Sequence, residues 1–391
     1  MKKYILILFV ILLPLMCIAW TVQDMQKIAI TRMNATGPTS QPLLYESDMT
    51  YVGSFLIPRV GSGTEADSFD YGGMGFAVSA DGLNLYVGGH LYNDSLGIVT
   101  IPAPIAGTAT LVQAPTAVPG TMGTECGSSE ELGAALVYNS RLVVTRRCYY
   151  DNDGTGMTHS VGDLDIDNFD DFTRMDNINT AGFVNGYMGY IPSEWQSLLG
   201  GPAFSGNSSM SIINKCGNGP SFFVFDPDDV GVESPIPSIP LMYFTTTYPI
   251  VADPDAANDI WIRADIEIAG MFFPSGTRSV LFVSRHGTGD RCYGPGCTDP
   301  CWPGVQGEHA YPYRRQVTAF DANDLLAVKN GEMEPYEVRP YAWWVLPEEP
   351  EGDYCGEMTA AGLAYDPITR RVFLSRHFSS NPIVYVYQLG E

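Results

Sequence analysis

Five apolar stretches of this chain end on basic, histidine or cysteine residues: 85–90 (LYVGGH), 142–148 (LVVTRRC), 212–216 (IINKC), 280–286 (VLFVSRH) and 372–377 (VFLSRH). The chain has only 5 His and 21 Lys+Arg against 44 Asp+Glu, so scarce cations recurring at one point of a repeat need a cause. Arginine grips carboxylate or sulfate through two parallel hydrogen bonds. Neutral imidazole serves as a general base or a metal ligand. Read as catalysis, His286 or His377 removes the proton α to a uronate carboxylate. Arg285 or Arg376 stabilises the developing charge, and Tyr71 protonates the leaving oxygen. Read as binding, His90, Arg147 and Lys215 hold the ligand together with Asp70, Tyr187 and Glu357 from neighbouring strand starts. No metal-ligand set is assigned. Each residue also has a plainer reading: a strand-end arginine pairs with a carboxylate of the next repeat, and a lone histidine is a satisfied hydrogen-bonding residue.

These residues meet only where equivalent strand ends are carried to one place. The chain from Met49 onward reads as strand, turn, strand. Residues 51–57 form an apolar strand stopped by Pro58. Residues 75–78 turn at Ala80-Asp81-Gly82 into the strand ending at Gly88, with a further strand at 97–101. Asp-Gly between two β-rich runs is a hairpin signal, because glycine accepts positive φ. The grammar returns at 133–148, 269–286 with 316–321, and 362–377 with 383–387, and less regularly around 221–226. Repeated antiparallel sheets at this spacing predict an all-β chain, a β-propeller of four-stranded blades, at least five and up to seven. Stretches 240–268 and 335–347 are where further blades would lie. Residues 51–57 are placed to complete the last blade, which removes its exposed edge. A two-sheet sandwich is the alternative. Helices are expected only at 193–199 and at 322–328, the latter capped by Asp321.

Lys2-Lys3 followed by the apolar run 4–13 and the small-residue site at Cys17-Ile18-Ala19 reads as a secretion signal over 1–19. A linker over 20–48 and one propeller domain over 49–391 follow. Cys17 as a lipidated residue and an uncleaved anchor are the alternatives, and no later segment is apolar enough to span a bilayer. Secretion, to the periplasm or the bacterial cell surface, makes disulfides the default for Cys126, Cys148, Cys216, Cys292, Cys297, Cys301 and Cys355. The odd number leaves one over. A zinc knuckle from Cys292, Cys297 and Cys301 is the sharper but disfavoured reading, and Cys148 with Cys216 could bridge two blades. The net charge of -23 excludes nucleic acid and anionic lipid as partners. It suits a divalent cation such as calcium, but Asp151-Asn152-Asp153-Gly154 lacks the Glu of an EF-hand at its twelfth position. Asp163-Leu164-Asp165-Ile166-Asp167 alternates like a half-buried strand. His159 and His309 have no spaced partner.

Several stretches resemble a family of secreted bacterial β-propeller-like proteins: Phe69-Asp70-Tyr71-Gly72-Gly73 with Gly89-His90, 181–189 (AGFVNGYMG), Gly200-Gly201-Pro202-Ala203, Gly287-Thr288-Gly289 with Cys292-Tyr293-Gly294, and Ala310-Tyr311-Pro312-Tyr313 with 320–326 (FDANDLL). The resemblance spans about residues 50–390 and implies the architecture, not an activity. A looser likeness, in residue types alone, is to propeller-type polysaccharide lyases, which use His and Tyr for proton transfer and Arg to neutralise a uronate. The expected function is an exported propeller with a cationic, His-bearing pocket for an anionic or carbohydrate ligand. The alternatives are a lyase or hydrolase of acidic polysaccharide, and a structural or adhesive surface protein.

Overall fold

A computed structural model describes residues 37–60, 68–90, 93–123, 130–148, 156–176, 181–207, 219–245, 247–250, 267–289, 292–300, 303–304, 308–347, 361–376 and 382–390. In chain order the described strands fall into five antiparallel blades and one small two-stranded sheet. After β1 (Met49–Leu56), blade I holds β2 (Ala77–Val78), β3 (Asn84–Gly88), β4 (Ser95–Thr100) and β5 (Leu111–Ala117). Blade II holds β6 (Glu130–Tyr138), β7 (Arg141–Cys148) and β8 (His159–Gly162). Blade III holds β9 (Tyr187–Tyr190), β10 (Ala203–Gly206), β11 (Phe222–Phe225) and β12 (Ile239–Met242). Blade IV is built from β13 (Glu267–Phe272) and β14 (Ser279–Gly287), then a small inserted pair, β15 (Cys292–Tyr293) and β16 (Glu308–His309), then β17 (Tyr313–Asp321) and β18 (Pro340–Val345). Blade V runs β19 (Leu363–Asp366), β20 (Arg371–Ser375), β21 (Ile383–Leu389), and β1 returns as its outer strand.

The innermost strands pack in the cyclic order β2, β6, β9, β13, β19 and back to β2, so the ring closes with five blades. The described parts of the stretches where further blades were expected supply fourth strands: β12 begins at Ile239, and β18 covers Pro340–Val345. Three residues from each inner strand line the axis, from Phe76–Val78 around to Leu363–Tyr365. They leave a cavity of about 20 Å³, so the centre of the wheel is packed with apolar side chains. One sheet face looks to each neighbour. In blade IV, Val280 and Phe282 pack toward blade III, while Leu281 and Val283 pack toward blade V. That alternation is the period-two pattern of the sequence made physical.

In blade III, β10 takes the second-strand place that the run 212–216 was expected to fill. Those residues, and Lys215 with them, lie outside the described ones. The short Ala203–Gly206 strand gives no apolar run to read, yet Phe204 stacks on Phe222 at 4.3 Å. A Cβ on Gly206 would stand 2.0 Å from the Tyr187 ring. Asp163–Asp167 is a turn, not a strand: the Asp163 N–H donates to the Asp167 carbonyl and Ile166 has positive φ. Among the described residues the two α-helices, α1 (Ser193–Leu199) and α2 (Ala322–Lys329), sit where expected, and Asp321 caps the second by accepting from the Asn323 N–H. From residue 37 the N-terminal segment is docked: the Leu44 N–H donates to Ser279 Oγ at 2.8 Å.

A hydroxyl precedes the arginine at three of the recurring strand ends, and the structure gives its reason. The Ala134 N–H donates to Thr145 Oγ1 at 2.8 Å, which donates to the Asn185 carbonyl of the next blade at 2.9 Å. The Gly362 N–H donates to Ser375 Oγ at 2.9 Å, which donates to the Gly73 carbonyl of the next blade at 2.7 Å. Gly133 makes the first latch feasible, since a Cβ there would stand 1.9 Å from the Asn185 oxygen. Ser375→Ala strands a buried N–H and a buried C=O. We expect it to cost about 1–3 kcal/mol in urea unfolding, with native circular dichroism retained.

Candidate functional site on the strand-end face

The end of each second strand faces the start of its inner strand. In register, Arg147 stands opposite Glu131, Arg285 opposite Glu267, and Gly206 opposite Tyr187. The Gly73 N–H reaches the Gly88 carbonyl, and the Ala361 N–H reaches the Ser375 carbonyl. Rotation about the axis therefore brings the strand ends to one face of the wheel. His377, Glu357 and Lys215 lie outside the described residues.

On blades I and II this face carries a small cleft. Tyr71 is 43% exposed and holds a left-handed backbone at φ 56°. Its ring stands edge-on to His90, centroids 5.7 Å apart. His90 is nearly buried, and Asp70 is buried with an ion pair to Arg59 at 3.7 Å. Tyr71 and His90 line a cavity with Met74, Asp94, Ser95 and Leu132. Arg147 joins this group: its guanidinium sits 2.9 Å from Met74 Sδ and 3.0 Å from Glu131 Oε2.

The neighbouring Arg146, which the sequence reading passed over, is the more buried of the two. It donates to Asp94 Oδ2 at 2.8 Å, Glu130 Oε2 at 3.1 Å and the Val118 carbonyl at 2.7 Å, and so ties blade II to blade I. This corner is ion-paired rather than cationic. Burial pushes the Asp94 carboxyl above the usual carboxylate range even though Arg146 pulls it down, and Glu130 and Glu131 add to the rise.

Blades IV and V carry a second group of arginines. Arg285 and Arg315 are cross-strand partners, as are His286 and Arg314. Like charges directly opposite each other are unfavourable, and aromatic faces relieve part of this. Arg285 lies 4.5 Å from the Tyr313 ring centroid, Arg315 4.3 Å from Tyr385 of blade V, and Arg314 4.2 Å from Trp343. His286 and Arg285 are buried, and Arg376 is half-buried at the end of β20. Tyr71 belongs to blade I, which touches blades II and V in the ring, whereas Arg285 and His286 belong to blade IV. The expected grouping of Tyr71 with His286 therefore spans non-adjacent blades.

Tyr187 turns away from any ligand role. It is buried in the blade III core, its hydroxyl donates to the Ser221 carbonyl at 2.6 Å, and the same oxygen accepts from the Ser221 N–H. Burial pushes this phenol far above its ordinary range.

His309 does have a partner. Its Nδ1 lies 2.9 Å from Asp299 Oδ2, which also accepts from the Tyr313 hydroxyl at 2.6 Å, and all three residues are buried. Asp299 lies ten residues upstream of His309. The insert, which brings Asp299 and His309 to Tyr313 at the start of β17, is joined by the β15–β16 pair and by a Cys292–Cys297 disulfide with Sγ–Sγ 1.99 Å. The disulfide agrees with the preferred reading of that cysteine group. Cys148 is also disulfide-bonded. Among the described residues no cluster of His, Cys, Asp or Glu is arranged to hold a metal ion, and no helix is long and apolar enough to cross a membrane.

No protein-family model matches the chain, and no curated protein does. Among solved structures the chain is similar to a glycosyl hydrolase from Bacteroides ovatus, at 10% identity and TM-score 0.45, over 89% of this chain and 96% of that one. A putative glycoside hydrolase from Bacteroides ovatus ATCC 8483 gives 12% identity and TM-score 0.44, over 90% and 96%. A luciferin-regenerating enzyme gives 9% and 0.38, over 88% and 97%. Likenesses this distant say nothing of activity, and the architecture rests on the strand pairing above.

Proposed function

We propose that this is an exported propeller that binds a carbohydrate on its strand-end face, with the ligand seated at the Tyr71–His90 cleft and any acidic group of it directed to the arginines of blades IV and V. The observation that carries the reading is Tyr71. A large aromatic ring stands exposed at the mouth, on a left-handed backbone that a tyrosine adopts only at a cost. Strain of this kind clusters at functional sites. A flat ring with a hydroxyl rim is a stacking platform for a sugar.

The test separates stability from binding. Tyr71→Gly relieves the left-handed strain, so the variant should be more stable by about 1 kcal/mol in thermal or urea unfolding. Its affinity for whichever glycan the wild type captures on an array should fall at least about tenfold. A variant that binds unchanged removes Tyr71 from the site.

A second reading, a lyase or hydrolase of acidic polysaccharide, is favoured by the Asp299–His309–Tyr313 trio beside Arg285. A carboxylate that orients an imidazole, a tyrosine hydroxyl and an arginine are the parts such proton transfer uses. Uronate polymers would be screened for the absorbance of unsaturated products with wild type, His286→Ala and His309→Ala. No product from the wild type on any polymer removes this reading.

A further inference from the structure

Beneath Tyr71 and His90, the cleft continues into a cavity of about 10 Å³, the room one water or one hydroxyl group takes. Two residues that line it each carry an oxygen buried without a hydrogen-bond partner: Asp94 Oδ1 and Ser95 Oγ. Ser95 is 3% exposed. The other carboxylate oxygen of Asp94 is already engaged by Arg146. The wall behind Ser95 is bare backbone, since a Cβ on Gly89 would stand 2.1 Å from Ser95 Oγ. Buried oxygens left in this state are costly, and an occupant that satisfies both is strongly favoured.

We infer that this cavity is a seat for one hydroxyl group of a neutral sugar residue, filled by a single water when no ligand is bound; the inference rests on the carbohydrate reading above and deepens it. A carboxylate oxygen accepts and does not donate, so the occupant must present O–H or N–H to Asp94. A serine hydroxyl both gives and takes, so a single sugar hydroxyl can donate to Asp94 Oδ1 while accepting from Ser95. The surrounding charge rejects an anion here: Asp94 stands with Glu130 around Arg146, and Glu131 already occupies Arg147. A hydroxyl also matches the Asp94 carboxyl in either protonation state, which suits a group whose titration burial has moved upward. The acidic part of a mixed polysaccharide would therefore lie elsewhere on the face.

The test uses the full mature chain. High-resolution crystals would be solved free and soaked with methyl glucoside, methyl galactoside, methyl mannoside and methyl glucuronide, and the same probes titrated calorimetrically against wild type and Ser95→Ala. The expected result is a water between Asp94 Oδ1 and Ser95 Oγ in the free protein, displaced by a hydroxyl of at least one neutral glycoside. Ser95→Ala should weaken that glycoside about tenfold while leaving the unfolding midpoint almost unchanged. A dry cavity in free crystals overturns the seat whatever else binds. A glycoside bound on this face with the water unmoved overturns the seat and leaves the carbohydrate reading standing. No binding of any probe or arrayed glycan to the wild type overturns both.

Discussion

A chain that begins after Ile57 should fail to fold, and the same residues moved to the other end should restore it. β1 is the outer strand of blade V, paired with β21 from Met49↔Leu389 to Leu56↔Ile383. With the residue that follows it, it buries Met49, Phe55 and Ile57, each worth about 1.5–3 kcal/mol. Tyr51 packs its ring 5.7 Å from Tyr387. Losing the strand removes a large part of a typical stability of about 5–15 kcal/mol, and it bares the β21 edge to other chains. The truncated protein should show no cooperative urea transition and should sediment as aggregate. The two ends already touch, since the Gly390 N–H donates to the Asp48 carbonyl at 2.8 Å. A permutant in which β1 follows β21 through an Asn-Gly turn keeps the blade V pairing, and it should unfold cooperatively, below the wild-type midpoint by what the docked segment 37–48 contributes. If the truncated chain unfolds like the wild type, closure by this strand is not what holds the ring.

The second large effect is acid sensitivity at His159. This imidazole is fully buried between blades II and III, with Nδ1 2.8 Å from Thr158 Oγ1 and Nε2 3.1 Å from Ser205 Oγ. The Ser205 hydroxyl donates to the Val184 carbonyl, so its oxygen accepts from Nε2–H, and Nδ1 accepts from Thr158. The neutral ring fits this chain and the protonated ring does not. Burial pushes its pKa from 6.5 down to about 3. The unfolded chain therefore takes up a proton that the native state refuses. The stabilisation is whole above pH 6.5 and is lost as pH falls toward about 3. At about 1.4 kcal/mol per pH unit, the loss should reach about 2 kcal/mol by about pH 5 and about 4–5 kcal/mol in full. Asp94 runs the other way, because a raised carboxyl contributes stability that fades as pH rises through its range. Urea midpoints of wild type and His159→Gln, followed from neutral pH downward, should converge as the wild type loses its advantage. Parallel profiles would mean that the imidazole is not refusing the proton.

Local features were legible where their cause is local. The apolar runs at 280–283 and 372–374 became strands because alternate residues face opposite neighbours across the sheet. The Asn139–Ser140 turn follows from two residues that adopt positive φ, 44° and 62°. α2 begins where Asp321 can cap it. The common face of the strand ends was also legible, because alternating strand direction fixes it. Partners were not. Nothing near Arg146 in the sequence names Asp94, which is brought from a loop of the preceding blade. Nothing near His309 names Asp299, which an inserted hairpin folds back against it. β10 was missed because four residues ending in Ser-Gly carry too little apolar signal to outbid the run at 212–216.

The chain by itself determined that it is built of short antiparallel strands, that a strand near its start closes the last sheet, and that cations recur at one end of each unit. Periodicity, turn chemistry and strand direction act over a few residues, so a linear sequence records them. Only the tertiary structure decided that the ring holds five blades, that carboxylates hold Arg146 and Arg147, that Arg285 and Arg315 lie on tyrosine faces, and that Asp94 and Ser95, each with a buried oxygen, line one cavity with Tyr71. These depend on which distant segments the closing of the wheel sets side by side, and charge pairing and burial are properties of that proximity.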